Sequence, residues 1–185
     1  MSTGRLFVAI GIAALAAGSA LFVLMRPVPR VPPARVEAPE ISPSAVLAAS
    51  FEDGSGRSRS LAEFQGKVLV VNFWATWCKP CLEEIPVFVK MQQKFGAEGL
   101  QFVGIAIDNP VKVREFAAKY QMNYPVLIGE MEAIELARAA GNTLGGLPFT
   151  VILDRKGRLI RTEIGGLNER KLIPIIQPSL LGNGP

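Results

Sequence analysis

Two kinds of apolar run are visible along this chain. Leu6 to Met25 is a stretch of twenty uncharged, largely apolar residues closed off by Arg5 and Arg26. A helix of that length spans about 30 Å, the thickness of the hydrocarbon layer, which predicts a membrane anchor at 6–25 behind a short tail at 1–5. A cleaved leader is the rival reading, since Ala16 to Ala20 offers small residues to a peptidase. The mature chain would then start on Leu21-Phe22-Val23-Leu24-Met25, an unfavourable apolar end. Residues 26–43 contain six prolines and no hydrophobic period, the composition of an extended spacer.

From residue 44 the runs are short and punctuated by turn residues. Ala45 to Phe51 predicts an edge strand, Glu52 to Gly56 a turn, and Ser60 to Phe64 a short helical step. Val68 to Val71 is apolar at every position and β-branched at three, a strand buried on both faces. A helix follows from Leu82, with Ile85, Phe88 and Val89 on its apolar face and a kink expected at Pro86. Next come a strand at Leu100–Ile107, a helix start at Asp108-Asn109-Pro110, and a helix over Val111–Tyr120. Tyr124–Ile128 predicts a strand and Glu132–Ala140 a helix. Phe149–Leu153 and Leu159–Ile164 pair as a hairpin across Asp154–Gly157, and Asn168–Gln177 closes the chain as a helix. This alternation describes an α/β domain at 44–185 with a mixed sheet covered on both faces, large enough for one core.

Composition narrows the function. The chain carries 20 Lys+Arg against 16 Asp+Glu, a net charge of +4. Four of the arginines precede residue 44 and no basic run follows, so a nucleic-acid partner has little support. Cys78 and Cys81 are the only cysteines, and there is no histidine. Four N/S ligands for a structural zinc are therefore lacking within one chain, and no metal site is expected. Haem attachment would need a histidine where Leu82 stands. A purely structural disulfide usually joins distant segments, because so short a loop removes little unfolded-state entropy.

The position of the pair favours redox chemistry. It lies where the Val68 strand passes into a helix, with Cys78 near the helix N-terminus, where free N–H groups and the helix dipole favour a thiolate. Lys79 adds a cation, and Pro80 suits a first turn. Glu84 stands three residues beyond Cys81, on the same helix face, as candidate proton carrier; the alternative is a solvated glutamate near a helix start. On the first reading, Glu84→Gln changes the pH–rate profile with little effect on stability. Trp74 suits core or lid packing, whereas Trp77, beside Cys78, suits a partly exposed groove wall.

The run VNFWATWCKPC followed by LEEIP resembles the TlpA/ResA-like branch of the thioredoxin superfamily. A second signature, Gly145-Gly146-Leu147-Pro148-Phe149-Thr150, resembles that family's cis-proline loop, and the likeness extends from about Ser44 to near Leu180. The resemblance implies a thioredoxin-like fold with an inserted strand and helix, and a thiol-disulfide oxidoreductase tethered to the bacterial inner membrane. It implies a domain on the outer, periplasmic side, although Arg26, Arg30 and Arg35 outnumber Arg5 across the span and argue for the opposite orientation.

The resemblance also implies site roles. Cys78 attacks and Cys81 resolves, with their redox-active disulfide as the only cofactor. Glu84 serves as the functional glutamate, since Asn72 replaces the buried aspartate of thioredoxins proper. The Leu147–Pro148 bond is cis, and the Leu147 backbone pairs with an extended substrate, with Gly145 and Gly146 permitting close approach. Apocytochrome c is the implied substrate and a DsbD-type protein the electron donor, serving a monomer. A CxxC without histidine leans towards a reductant. The rivals are an envelope dithiol oxidase and, in another class, a copper-handling protein, which normally uses a histidine and wider cysteine spacing. A peroxidase would need the threonine–cysteine arrangement that is missing before Cys78.

Overall fold

A computed structural model describes residues 43–182. The expected anchor at 6–25 and all but the last residue of the spacer lie outside them. Among the described residues no helix is long and apolar enough to cross a membrane.

The chain opens with helix α1 (Pro43–Ala48), then strands β1 (Ser50–Asp53) and β2 (Ser58–Ser60) and a 3-10 turn at Leu61–Phe64. Strand β3 (Val68–Trp74) leads into helix α2 (Lys79–Phe95). Strand β4 (Leu100–Ala106), helix α3 (Pro110–Lys119), strand β5 (Val126–Ile128) and helix α4 (Met131–Ala139) come next. The hairpin of β6 (Phe149–Leu153) and β7 (Leu159–Ile164) precedes helix α5 (Glu169–Leu180). The seven strands form one mixed sheet in the order β2-β1-β5-β4-β3-β6-β7. β3, β4 and β5 run parallel, and the remaining pairs are antiparallel.

The expected edge strand at Ala45–Phe51 is corrected on two counts. Residues 43–48 are helical, because an alanine-rich run with one buried side chain, Val46, satisfies a short helix as well as a strand. The strand that follows, β1, is not at the edge, since β2 pairs on its outer side. Helix α5 also runs three residues past the expected end at Gln177, through Pro174 and Pro178. Each proline costs one backbone donor, and the burial of Leu172, Ile176 and Ser179 on one face offsets the loss. Helix α2 likewise continues through Pro86, whose missing N–H leaves the Leu82 carbonyl without its helical donor.

Strand β3 is buried at all seven positions. Its alternation sends Leu69, Val71 and Phe73 to one side of the sheet, with Val46, Phe51, Leu61 and Ala137. Val68 and Val70 face Phe88 and Met91 of α2 and Leu172 and Ile176 of α5. Asn72 and Trp74 share that second side by the same period of two. Across β3, Asn72 pairs with Gly104 on one flank and Thr150 on the other. Gly104 is the residue that admits the Trp74 indole: a Cβ there would stand 3.0 Å from Trp74 Nε1.

Candidate active site

The C-terminal end of β3 supplies the turn that carries the cysteines. Cys78 caps helix α2, its N–H donating to the Ala75 carbonyl at 3.1 Å and its carbonyl accepting from Leu82 at 3.2 Å. Cys78 and Cys81 are joined by a disulfide with Cα atoms 5.3 Å apart. Cys78 retains 5% exposure and Cys81 none, which is the order of access expected of an attacking and a resolving thiol. Trp77 is 69% exposed beside them, while Trp74 is fully buried in the core below. The turn is held from β4: the Asp108 carboxylate accepts from the Thr76 N–H at 3.1 Å and from the Thr76 hydroxyl. Partial burial raises the Asp108 carboxyl, but these bonds, with the Asn109 N–H and the Lys112 charge, outweigh it and hold the group below the ordinary carboxylate range.

Helix α2 buries Cys81, Glu84, Ile85, Phe88 and Met91, the spacing of one helical face. Glu84 is therefore no solvated residue; it is 2% exposed, one turn below Cys81. Its Oε1 accepts from Asn72 Nδ2 at 2.8 Å and its Oε2 from the Leu167 N–H at 2.9 Å. Asn72 Nδ2 also donates to Thr150 Oγ1 at 3.1 Å, which links β6, β3 and α2 in one polar chain. Burial pushes the Glu84 carboxyl from 4.5 up to about 7, against the two hydrogen bonds that favour the ionised form. Burial, reinforced by the charge of Glu84, also pushes the Tyr124 phenol up, so Tyr124 remains protonated in this range. A carboxyl near neutrality one turn from Cys81 is able to take up or give back a proton in this range.

The second expected element meets the first in space. The Leu147–Pro148 bond is cis, Pro148 is buried, and the Leu147 side chain packs against the cluster that contains Cys78 and Cys81. Among the described residues, no hydrogen bond engages the N–H or carbonyl of Leu147. Gly166 stands close to the other side of the turn, a Cβ there lying 3.8 Å from the Pro80 carbonyl. All six residues singled out in the sequence (Trp77, Cys78, Cys81, Glu84, Leu147 and Pro148) thus belong to one region. Sequence reasoning missed the Thr76–Asp108 tie, the Thr150 hydroxyl and the Leu167 amide. Thr150 stood within the second signature, and Asp108 at a helix start, but neither position signals its partner.

A family model described as Redoxin matches residues 34–174. The chain belongs to the Redoxin family. Within it, this Redoxin protein is a TlpA/ResA-like member of the thioredoxin superfamily and a thiol-disulfide oxidoreductase. It is 34% identical to the thioredoxin-like protein YneN of Bacillus subtilis over 66% of this chain and 71% of that one. It is 27% identical to the thiol-disulfide oxidoreductase ResA of Geobacillus thermodenitrificans over 66% and 68%. Among solved structures, a thiol:disulfide interchange protein of the thioredoxin family from Chlorobium tepidum superimposes with a TM-score of 0.65 at 29% identity. That match covers 71% of this Redoxin protein and 92% of the other chain.

Proposed function

We propose that the protein is a reductant of disulfides in exported proteins, anchored by residues 6–25 and reaching its substrates on the proline-rich spacer at 26–43. The observation that carries the reading is Glu84, buried one turn below Cys81 with its carboxyl near neutrality and both oxygens engaged. In the reduced protein the Cys78 thiolate attacks one sulfur of the substrate disulfide. A mixed disulfide forms, and the other substrate sulfur leaves as a thiolate and takes up a proton. Cys81 then loses its proton to the Glu84 carboxylate and attacks Cys78 Sγ. The second substrate sulfur is released, and the Cys78–Cys81 disulfide forms. Two electrons have passed to the substrate, and a membrane donor of the DsbD type restores the dithiol. The free Leu147 peptide pairs with the extended substrate, and Trp77 borders the groove in which it lies.

Apocytochrome c is the substrate favoured by the likeness to ResA, with the protein acting as a monomer on the periplasmic side of the inner membrane. Support for the anchor is the bilayer length of the apolar run. Support for the direction of electron flow is the Lys79-Pro80 pair, which lacks the histidine that stabilises the thiolate of strong oxidants. Titration against glutathione redox buffers tests the direction. The expected potential is more negative than about −200 mV, on the thioredoxin side of protein disulfide isomerase. A value near about −120 mV, that of a strong dithiol oxidase, would reverse the reading.

A further inference from the structure

The loop that presents Leu147 is held by a side chain with no redox chemistry of its own. Asn142 follows helix α4 and is 2% exposed. Its backbone N–H donates to the Ala137 carbonyl at 2.9 Å, and its carbonyl accepts from the Gly145 N–H at 3.1 Å. Its carboxamide then closes on a single residue further along. Nδ2 donates to the Gly146 carbonyl at 2.9 Å, and Oδ1 accepts from the Gly146 N–H at 3.0 Å. Asn142 therefore treats Gly146 as a neighbouring strand would, using a side chain in place of a backbone. Gly145, at φ +67°, makes the intervening turn.

The bonding pattern has a consequence for what the loop offers an incoming chain. In extended backbone the N–H and carbonyl of one residue point to one side, and those of the next residue to the other. With both Gly146 groups taken by Asn142, the Leu147 pair remains open, and Leu147 packs against the cluster that holds the cysteines. Held by the buried Asn142, the Gly146 groups are kept on the inner side, which turns the Leu147 groups outward. Without that hold, the Leu147 pair loses its fixed direction.

We propose that Asn142 is a positioning residue that aims the Leu147 N–H and carbonyl at a polypeptide substrate, by holding those of Gly146 on the opposite side. This rests on the thiol-disulfide exchange reading above and on its extended substrate, and it names the side chain that aims the Leu147 backbone at that segment. A small disulfide without a peptide backbone gains nothing from the device.

That asymmetry is the basis of the test. The full-length chain, its N142A variant and its N142D variant are assayed with dithiothreitol as reductant. The two substrates are insulin, a polypeptide disulfide, and hydroxyethyl disulfide, a small one without a peptide backbone, each rate taken above that of dithiothreitol alone. N142A should raise KM for insulin about 3- to 10-fold, the scale of one net hydrogen bond, with kcat and the small-disulfide rate within about twofold of the parent. N142D keeps the test independent of any folding defect in N142A. Its protonated carboxyl reproduces both bonds to Gly146, whereas the carboxylate repels the Gly146 carbonyl. Its KM for insulin, relative to the parent at the same pH, should therefore rise as pH goes from about 4 to about 7.

An insulin KM unchanged in N142A, equal losses on both substrates, or a flat KM ratio in N142D would overturn the assignment while leaving the oxidoreductase intact. A parent chain that reduces neither substrate would remove the underlying reading and the assignment with it.

Discussion

At the start of β3, Arg155 reaches four carbonyl oxygens: Glu98 at 2.7 Å, Leu180 at 3.3 Å, and Gly66 and Ser179 at 3.4 Å. Near its other end, Glu84 takes one donor from Asn72 and one from Leu167. Both groups bridge elements far apart in sequence, and both compensate backbone or amide groups that would otherwise lack partners. They differ in what they offer. The planar guanidinium of Arg155 is a fixed fork of donors to carbonyls of separate segments. The Glu84 carboxyl, buried near neutrality, changes charge within the working range. The same strand is tied at one end by a fork of donors and served at the other by a proton-exchanging acid.

The largest effects test the reactive end. Cys78→Ser should reduce turnover to background and trap no partners. Cys81→Ser should keep the first attack but lose resolution, so mixed disulfides accumulate. The trapped proteins should be exported ones; adducts with cytosolic proteins would refute the orientation of the domain, and trapping by Cys78→Ser in place of Cys81→Ser would exchange the two roles.

Glu84→Gln sharpens the contrast further. It should slow substrate reduction about 10- to 100-fold and remove the limb of the pH–rate profile near pH 7. Its stability should also depend on pH differently, which corrects the small effect on stability expected of a proton carrier from the sequence, because the carboxyl is buried. The folded carboxyl holds its proton up to about 7, the unfolded one only to about 4.5. The stability that neutral Glu84 contributes is complete below about pH 4.5 and lost as pH rises through about 7, on the order of 3 kcal/mol in all. Urea unfolding of parent and variant across that window should show the parent losing ground to Glu84→Gln as pH rises. A constant difference would mean that Glu84 does not titrate there.

The smallest effect on chemistry comes from the other end. Arg155→Ala should cost about 1 kcal/mol of stability, by removing hydrogen bonds to exposed and part-buried carbonyls. The reduction potential and the pH–rate profile should stay those of the parent. A shifted potential would show that the two ends are coupled through β3.

The elements that the sequence revealed best are those with unbroken apolar runs. β6 and β7 have the bounds expected, and β3 extends its four-residue apolar core through Asn72, Phe73 and Trp74. Helix α1 was missed because a short alanine-rich run suits either period. The cysteine pair, Trp77 and the cis-proline loop were legible as motifs. The environment of Glu84 was only half legible: helical spacing placed it beneath Cys81, but its burial depends on α5 and on the Leu167 amide, 83 residues away. Asn142 left no trace beyond a turn-forming residue between two glycines, because its partner Gly146 is defined by the path of the loop.

The antiparallel seam between β3 and β6 joins Leu69 to Leu153 and Phe73 to Phe149. As the chain is synthesised, the seven buried residues of β3 emerge long before the strand that covers this flank exists. Until β6 arrives, a flat, strongly apolar edge has nothing to pair with, the condition in which strands join the wrong partner. This flank of β3 is thus covered only once β6 has been made, and the nascent domain is most open to mispairing while its most apolar strand stands exposed.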